Sequence, residues 1–197
     1  SVDRVDFGMV VCTESMLTVA PLFEKAKVPV IAPVASGTNI SNAGDYIFRT
    51  WPSDANAGKL LYQYVGKKHQ VLGALTEERG FAQELSEAFL NAAKGSTLKI
   101  VTETFPSDTT DFRPLLLRLK NKSIEGIFIN TNSDRTYANI LKQQRDLAIQ
   151  VPAYGVYIPG NQAFPGLAGA SAEGIVFVDA PSTENSLTPD GQALYLE

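Results

Sequence analysis

The chain has 197 residues, 44% of them hydrophobic, a formal net charge of −4 and a single cysteine. That length and apolar content can bury one sizeable core or two small ones, and the acidic balance argues against a basic nucleic-acid-binding surface. One cysteine excludes an internal disulfide and a thiolate metal cluster, and no uninterrupted apolar run reaches the roughly 18 residues of a membrane span.

In chain order, Val5 to Val11 predicts a buried strand, and Met16, Val19, Ala20 and Phe23 recur at helical spacing. Val28 to Ile31 is a second short strand. Ala35 to Asn42 is small and polar and suits a loop, and Tyr46 to Arg49 extends again. Pro52-Ser53 opens a helix whose apolar face is Ala57, Leu60, Leu61, Tyr64 and Val65. Val71 to Leu75 is a strand, and Phe81, Leu85 and Phe89 mark the next helix. Lys99 to Phe105 alternates as a strand. Thr110 or Asp111 caps a helix with Pro114 in its first turn. Ile124 to Asn130 is a strand, Tyr137, Ile140 and Leu141 mark a helix, and Ala153 to Tyr157 and Gly174 to Val178 are the last strands. Five strands alternating with helices over 71–178 predict a doubly wound α/β fold with a parallel sheet. Residues 1–50 hold too little to close a comparable core alone, and the tail from Asp179 reads as a connector.

No catalytic constellation accompanies this pattern. The nucleophile elbow, the phosphate loop and G-x-G-x-x-G are absent. No His or Cys cluster has zinc spacing, and no cofactor is expected. Lys67-Lys68-His69 reads as a solvated helix end, Glu77-Glu78 as a solvated turn, and Cys12 as a buried, inert cysteine. No basic start precedes an apolar stretch, so a secretory leader is expected to be absent or already removed.

Position is the remaining signal. Ligands of open parallel sheets sit beyond the carboxyl ends of strands, beside helix N-termini. The segments there are 12–15, 34–38, 79–81, 130–134 and 154–157. Hydroxyls and free backbone N–H groups dominate the first two, which suits a small carboxylate or polar neutral solute. Position by position, Thr13, Ser15, Ser36 and Ser133 read first as helix caps, and a cap hydroxyl can also face a ligand.

The order of segments resembles the type I periplasmic binding proteins of ABC importers, in the branched-chain amino-acid (Leu/Ile/Val) branch. The stretches that carry the resemblance are Val5-Asp6-Phe7-Gly8, the run from Ala20 to Ile31, Tyr46 to Thr50, Phe105 to Phe112, Ile140 to Arg145, and Ala172-Glu173-Gly174. Singly they are weak; six in order across nearly the whole chain are specific. The resemblance implies two three-layer α/β/α lobes closing on a solute. Residues 1–50 would be a partial first lobe, 51–180 a nearly complete second lobe, and 181–197 a return segment, with crossings near Thr50 and Pro181. It therefore implies a piece of a longer receptor.

It also implies positions. Thr13 and Ser36 stand where hydroxyls bind a ligand carboxylate, with the backbone of Val34 nearby. Phe81 supplies a ring without a phenol, Ser133 stands where an aromatic is common, and Tyr157 replaces the acid that holds a ligand ammonium. A buried ammonium without a counter-charge is costly, so the expected ligand is an aromatic or aliphatic acid rather than a free α-amino acid. Glu14, beside Thr13, would repel an anion if it faced inward, or would cap its own helix. The partners implied are a small-molecule ligand and the importer's membrane subunits, and no nucleic acid. The compartment implied is the periplasm, or the outer surface through a lipid anchor in a Gram-positive host. Capture for import, the sensor domain of a receptor, and an α/β hydrolase or transferase dependent on Cys12 are the competing roles. An incomplete first lobe is expected to self-associate through its exposed sheet.

Overall fold

The computed structural model describes residues 5–180 and 188. Its elements are β1 (Gly8–Met9), α1 (Thr13–Ala26), β2 (Val30–Ala32), a 3₁₀ turn (Thr38–Asn42), β3 (Ile47–Arg49), α2 (Asp54–Val65), β4 (Val71–Glu77), α3 (Gly80–Ala93), β5 (Lys99–Phe105), α4 (Arg113–Lys120), β6 (Gly126–Asn130), α5 (Asp134–Asp146), β7 (Ala153–Val156), α6 (Phe164–Ala168) and β8 (Val176–Val178), with two further 3₁₀ turns flanking α6. They build two sheets, β1-β2-β3 and β5-β4-β6-β7-β8, in which every pairing is parallel. Of the connector expected from Asp179 onward, the part beyond residue 180, with the crossing near Pro181, lies outside the described residues apart from residue 188.

The five-stranded sheet is covered on both faces, giving the α/β/α layers. Leu75, Ile127 and Ile129 pack with Phe112, Leu116, Tyr137 and Ile140 of the α4–α5 side. Leu72, Ala74 and Phe128 pack with Leu61, Val65, Leu85 and Phe89 of the α2–α3 side. On α2 the buried stripe is Asp54, Ala57, Gly58, Leu61 and Val65, whereas Leu60 and Tyr64, expected on it, are 52% and 40% exposed. Gly58 explains the rotation: a Cβ there would come within 2.6 Å of the Phe89 backbone N, so α2 and α3 touch where that side chain is missing.

Among the described residues, the three-stranded sheet is covered on one face. Val30 and Ile47, in register with Gly8, bury against Met16 and Ala20 of α1. The opposite face carries the row Met9, Ile31 and Phe48, with Met9 65% and Phe48 49% exposed. The predicted seven-residue strand over Val5 to Val11 shortens to two paired residues, because among the described residues β1 is an edge strand paired with β2 alone.

Three other local expectations need correction. Glu77 is buried, 3% exposed, because it ends β4 and accepts hydrogen bonds from Thr131 Oγ1 and Asn132 N, both at 2.7 Å. Lys67 and Lys68 form a turn after α2, but His69 folds back, Nε2 2.6 Å from the Tyr154 hydroxyl. Cys12 is exposed. At α4 the Asp111 carboxylate accepts from Arg113 N at 3.2 Å, although the last non-helical residue is Phe112.

Candidate functional site

Residues following six strands surround one cavity of ≈ 250 Å³: Val11 to Glu14 after β1, Val34 to Ser36 after β2, Trp51 after β3, Phe81 after β4, Asn132 after β6, and Tyr157 with Ile158 after β7. It is smaller than hollows of ≈ 490 Å³ between α2 and α3 and ≈ 460 Å³ beside α5. Those lie on outer helix faces or at the opposite end of the sheet. A third hollow of ≈ 460 Å³ lies beyond the end of β5, beside the start of α5, but the smaller cavity is the one that gathers strand ends of both sheets, where parallel sheets present helix N-termini and loop amides to a ligand.

Thr13 opens α1 and is 4% exposed; its Oγ1 accepts from Gly37 N at 3.2 Å, which leaves its own hydrogen to donate. Ser36 is 3% exposed on a loop clamped from three sides. Asp54 N donates to Ser36 O at 2.9 Å, Arg49 Nη1 to Gly37 O at 2.8 Å, and Thr50 Oγ1 to Pro33 O at 3.3 Å. Gly37 is fixed by space: a Cβ there would meet Thr13 Cγ2 at 2.3 Å and Glu84 Oε2 at 2.5 Å.

The opposite wall is aromatic. Trp51 meets Tyr157 edge to face with ring centroids 5.8 Å apart, and Phe81 lies 6.3 Å from the same ring. Tyr157 has φ 58° and ψ −58°, a region that costs a non-glycine residue about 1–3 kcal/mol. Tyr157 N donates to Val178 O at 2.9 Å and its carbonyl accepts from Gly160 N at 2.8 Å, so main-chain bonds on both sides hold the strained turn.

Thr13, Val34, Ser36, Phe81 and Tyr157 thus share one cavity. Ser133 does not border it. Its Oγ accepts from Thr136 N at 3.3 Å and caps α5, while Asn132 faces the cavity. Glu14 does not cap its own helix; its Oε1 accepts from Phe81 N at 3.2 Å and caps α3, which has no cap from its own N-cap side chain. That bond ties the end of α1 to the opposite sheet.

Two residues were not anticipated, Trp51 and Asp54. Asp54 is fully buried behind Ser36 and Tyr157, and neither carboxylate oxygen has a hydrogen-bond partner among the described residues. The Ser36 and Tyr157 hydroxyls stand against it without completing a bond of ordinary length and angle. Burial, reinforced by the Glu84 charge, pushes its carboxyl up to about 6. Burial and the Asp54 charge likewise push the Tyr157 phenol up, so it stays neutral. Glu84 is raised by burial and by Glu14. Burial also raises Glu77, but the Asn132 amide and the Thr131 and Ser107 hydroxyls outweigh it and leave the carboxyl below its ordinary value. Among the described residues no His, Cys, Asp and Glu grouping could hold a metal ion, and no helix is long and apolar enough to cross a membrane.

Comparison with known proteins agrees with this geometry. A Leu/Ile/Val-binding protein homologue of Brucella suis is 22% identical over 156 residues, covering 76% of this chain and 39% of the relative. The branched-chain amino-acid binding protein LivJ of Streptococcus pneumoniae, solved with isoleucine, is 25% identical with a TM-score of 0.77, over 98% of this chain and 58% of that one. A solute-binding protein of an ABC transporter from Rhodopseudomonas palustris, solved with 3,4-dihydroxybenzoic acid, is 21% identical with a TM-score of 0.76, over 95% and 52%. The chain spans about two fifths of the curated relative's length. With parallel sheets whose carboxyl ends converge on one cleft, and a match to the family profile over residues 2–196, the chain belongs to the periplasmic binding protein family.

Proposed function

We propose that the chain supplies the ligand cleft of a solute-binding component of an ABC importer, working in the periplasm or on the outer cell surface and delivering its solute to the importer's membrane subunits. One observation carries this reading: hydroxyls carried by the three-stranded sheet, Thr13 and Ser36, face rings carried by the five-stranded sheet, Phe81 and Tyr157, across a single cavity. In this reading residues 1–50 and 51–180 belong to two lobes that hinge near Thr50 and close on the ligand. Glu14 is then a closure contact, since its bond to Phe81 N exists only with the lobes together.

The ligand we infer is a small carboxylic acid with an aromatic or aliphatic body. Trp51, Phe81 and Tyr157 provide apolar walls, and the hydroxyls and loop amides suit the carboxylate. Glu14 is the carboxylate that borders the cavity among the described residues, and it is engaged by Phe81 N; none stands at Tyr157 to hold an ammonium. The test is thermal unfolding with benzoate, 3,4-dihydroxybenzoate, leucine and valine. A true ligand at 100-fold its Kd stabilises by about 2.7 kcal/mol, which for a chain of this size raises Tm by roughly 5–10 °C. The same acids are expected to slow alkylation of Cys12, the chain's single thiol, which borders the cavity. Stabilisation by leucine or valine, with no response to the aromatic acids, refutes the ligand class.

A further inference from the structure

We propose that Asp54 is a positioning residue that sets, through the hydroxyls of Ser36 and Tyr157, whether the cleft offers its ligand a hydrogen-bond donor or an acceptor. The inference rests on the carboxylic-acid reading of the cleft. Three buried polar atoms converge here without partners among the described residues: both Asp54 carboxylate oxygens and the Tyr157 hydroxyl. A carboxylate kept only for structure is hydrogen-bonded when fully buried. Here Ser36 and Tyr157, which both border the cavity, stand against it without a bond of ordinary length and angle.

The charged groups around Asp54 come from several elements. Glu84 faces it from α3 and Arg49 from β3. Asp179, after β8, acts on Tyr157, while Glu14 and Glu87 act on Glu84. Arg49 is the one cation of the group, and its guanidinium is engaged by the Ser36 and Gly37 carbonyls and Ser41 Oγ at 3.4, 2.8 and 2.9 Å. The carboxyl is therefore free to exchange a proton within the ordinary working range of pH, as its value of about 6 agrees.

The two protonation states present different cavities. A charged Asp54 draws the Ser36 and Tyr157 O–H groups toward itself, so that their oxygen lone pairs face the ligand and a negative charge lies behind them. A protonated Asp54 donates its own hydrogen to one of those oxygens, and that hydroxyl's hydrogen turns to the cavity. A ligand carboxylate is accepted only in the second arrangement. Binding one anion then takes one proton from solvent, which rests on Asp54; no other bond is made or broken.

The test pairs a ligand-free measurement with a binding one. Trp51 is the chain's single tryptophan and touches Tyr157, so its emission reports on this corner alone. A titration step near pH 6 is expected in the unliganded chain, absent in Asp54→Asn and retained in Tyr157→Phe. Benzoate binding is then followed by calorimetry in buffers of different ionisation heat. Affinity is expected to fall on the order of 100-fold from pH 5 to pH 8, the loss of the protonated fraction, with uptake of about one proton per ligand at the upper end. Asp54→Asn should flatten the affinity profile and abolish the uptake. Should that variant not fold, Ser36→Ala/Tyr157→Phe, which keeps the carboxyl and removes both hydroxyls, should reduce the slope. An affinity that is flat or rises with pH in the unaltered chain, or a slope that survives in Asp54→Asn, overturns the proposal. If benzoate binds at no pH, the carboxylic-acid reading fails. The emission step then still supports the coupling of Asp54 to the Tyr157 corner, and its absence overturns it.

Discussion

Replacing Asp54 by Asn should stabilise the fold increasingly as pH rises. Burial raises the carboxyl from 3.8 to about 6, so the folded chain holds a proton on Asp54 that the unfolded chain releases at lower pH. A carboxyl raised on folding contributes stability that is fully present below its unfolded value and is lost as pH climbs through its folded value. Over the whole interval the loss is about 3 kcal/mol, at about 1.36 kcal/mol for every pH unit that separates the folded value from the unfolded one. Much of it falls below pH 5, and linkage leaves about 1.4 kcal/mol to disappear between pH 5 and pH 8. Full burial of the side chain means that solvent screening does not dilute this figure. The neutral amide has no such dependence. It gives up the favourable charge in the first turn of α2, a constant penalty of about 0.3–1 kcal/mol once that charge exists. Urea unfolding of both chains at pH 5, 6, 7 and 8, followed by Trp51 emission, measures the effect. The midpoint difference should move in favour of the variant by roughly 0.5–1 M across that range, for slopes of about 1.5–3 kcal/mol/M. Glu84 and Asp179 are raised and Glu77 and His69 lowered; because these remain in both chains, only the difference between chains isolates Asp54. A difference that stays constant from pH 5 to pH 8 refutes the burial argument.

Gly37→Ala inserts a methyl within 2.3 Å of Thr13 Cγ2; it should cost about 1–3 kcal/mol and shift the Ser36 loop, read as a lowered Tm together with faster alkylation of Cys12. Glu77→Gln weakens the bonds from Thr131 Oγ1 and Asn132 N and should cost about 1–3 kcal/mol at pH 7. Since the native carboxyl lies below its ordinary value, its advantage exists above the unfolded pKa and fades as pH falls through the folded one, so calorimetry at pH 3 should find a smaller difference. The apolar row Met9, Ile31 and Phe48 is expected to drive self-association; Met9→Lys/Phe48→Lys should lower the mass measured by light scattering, and a strictly monomeric unaltered chain at high concentration refutes the expectation.

The legibility of this fold in sequence follows from where period and burial agree. Strands such as Lys99 to Phe105 and the helices between them emerged because apolar spacing is set by the layer each element covers. The α2 face was misplaced because Leu60 and Tyr64 are the larger hydrophobes, whereas contact with α3 is made by Gly58, whose value is its lack of a side chain. The same error hid Asp54. It lies in helical register with Gly58, Leu61 and Val65, so the signal was an acid on a buried stripe, masked by its ordinary look as a first-turn acid after Ser53. Glu77 was hidden in the same way, as half of a charged pair that in fact straddles the end of a central strand.

Thr13, Ser36, Phe81 and Tyr157 were reachable because strand ends of a doubly wound fold point at one cleft, whatever the side chains. Ser133 was readable both as a cap and as a ligand hydroxyl, which share a sequence pattern, and the structure has it capping α5 away from the cavity. Tyr157 stood out as the place of a missing acid. The structure alters what that absence means, for an acid stands one layer behind the ring, with its charge withheld from the cavity by Ser36 and Tyr157 themselves. On the proposal above, the charge behind the cleft varies with pH, and a ligand panel run at a single pH would confuse that charge with the preference of the lining residues.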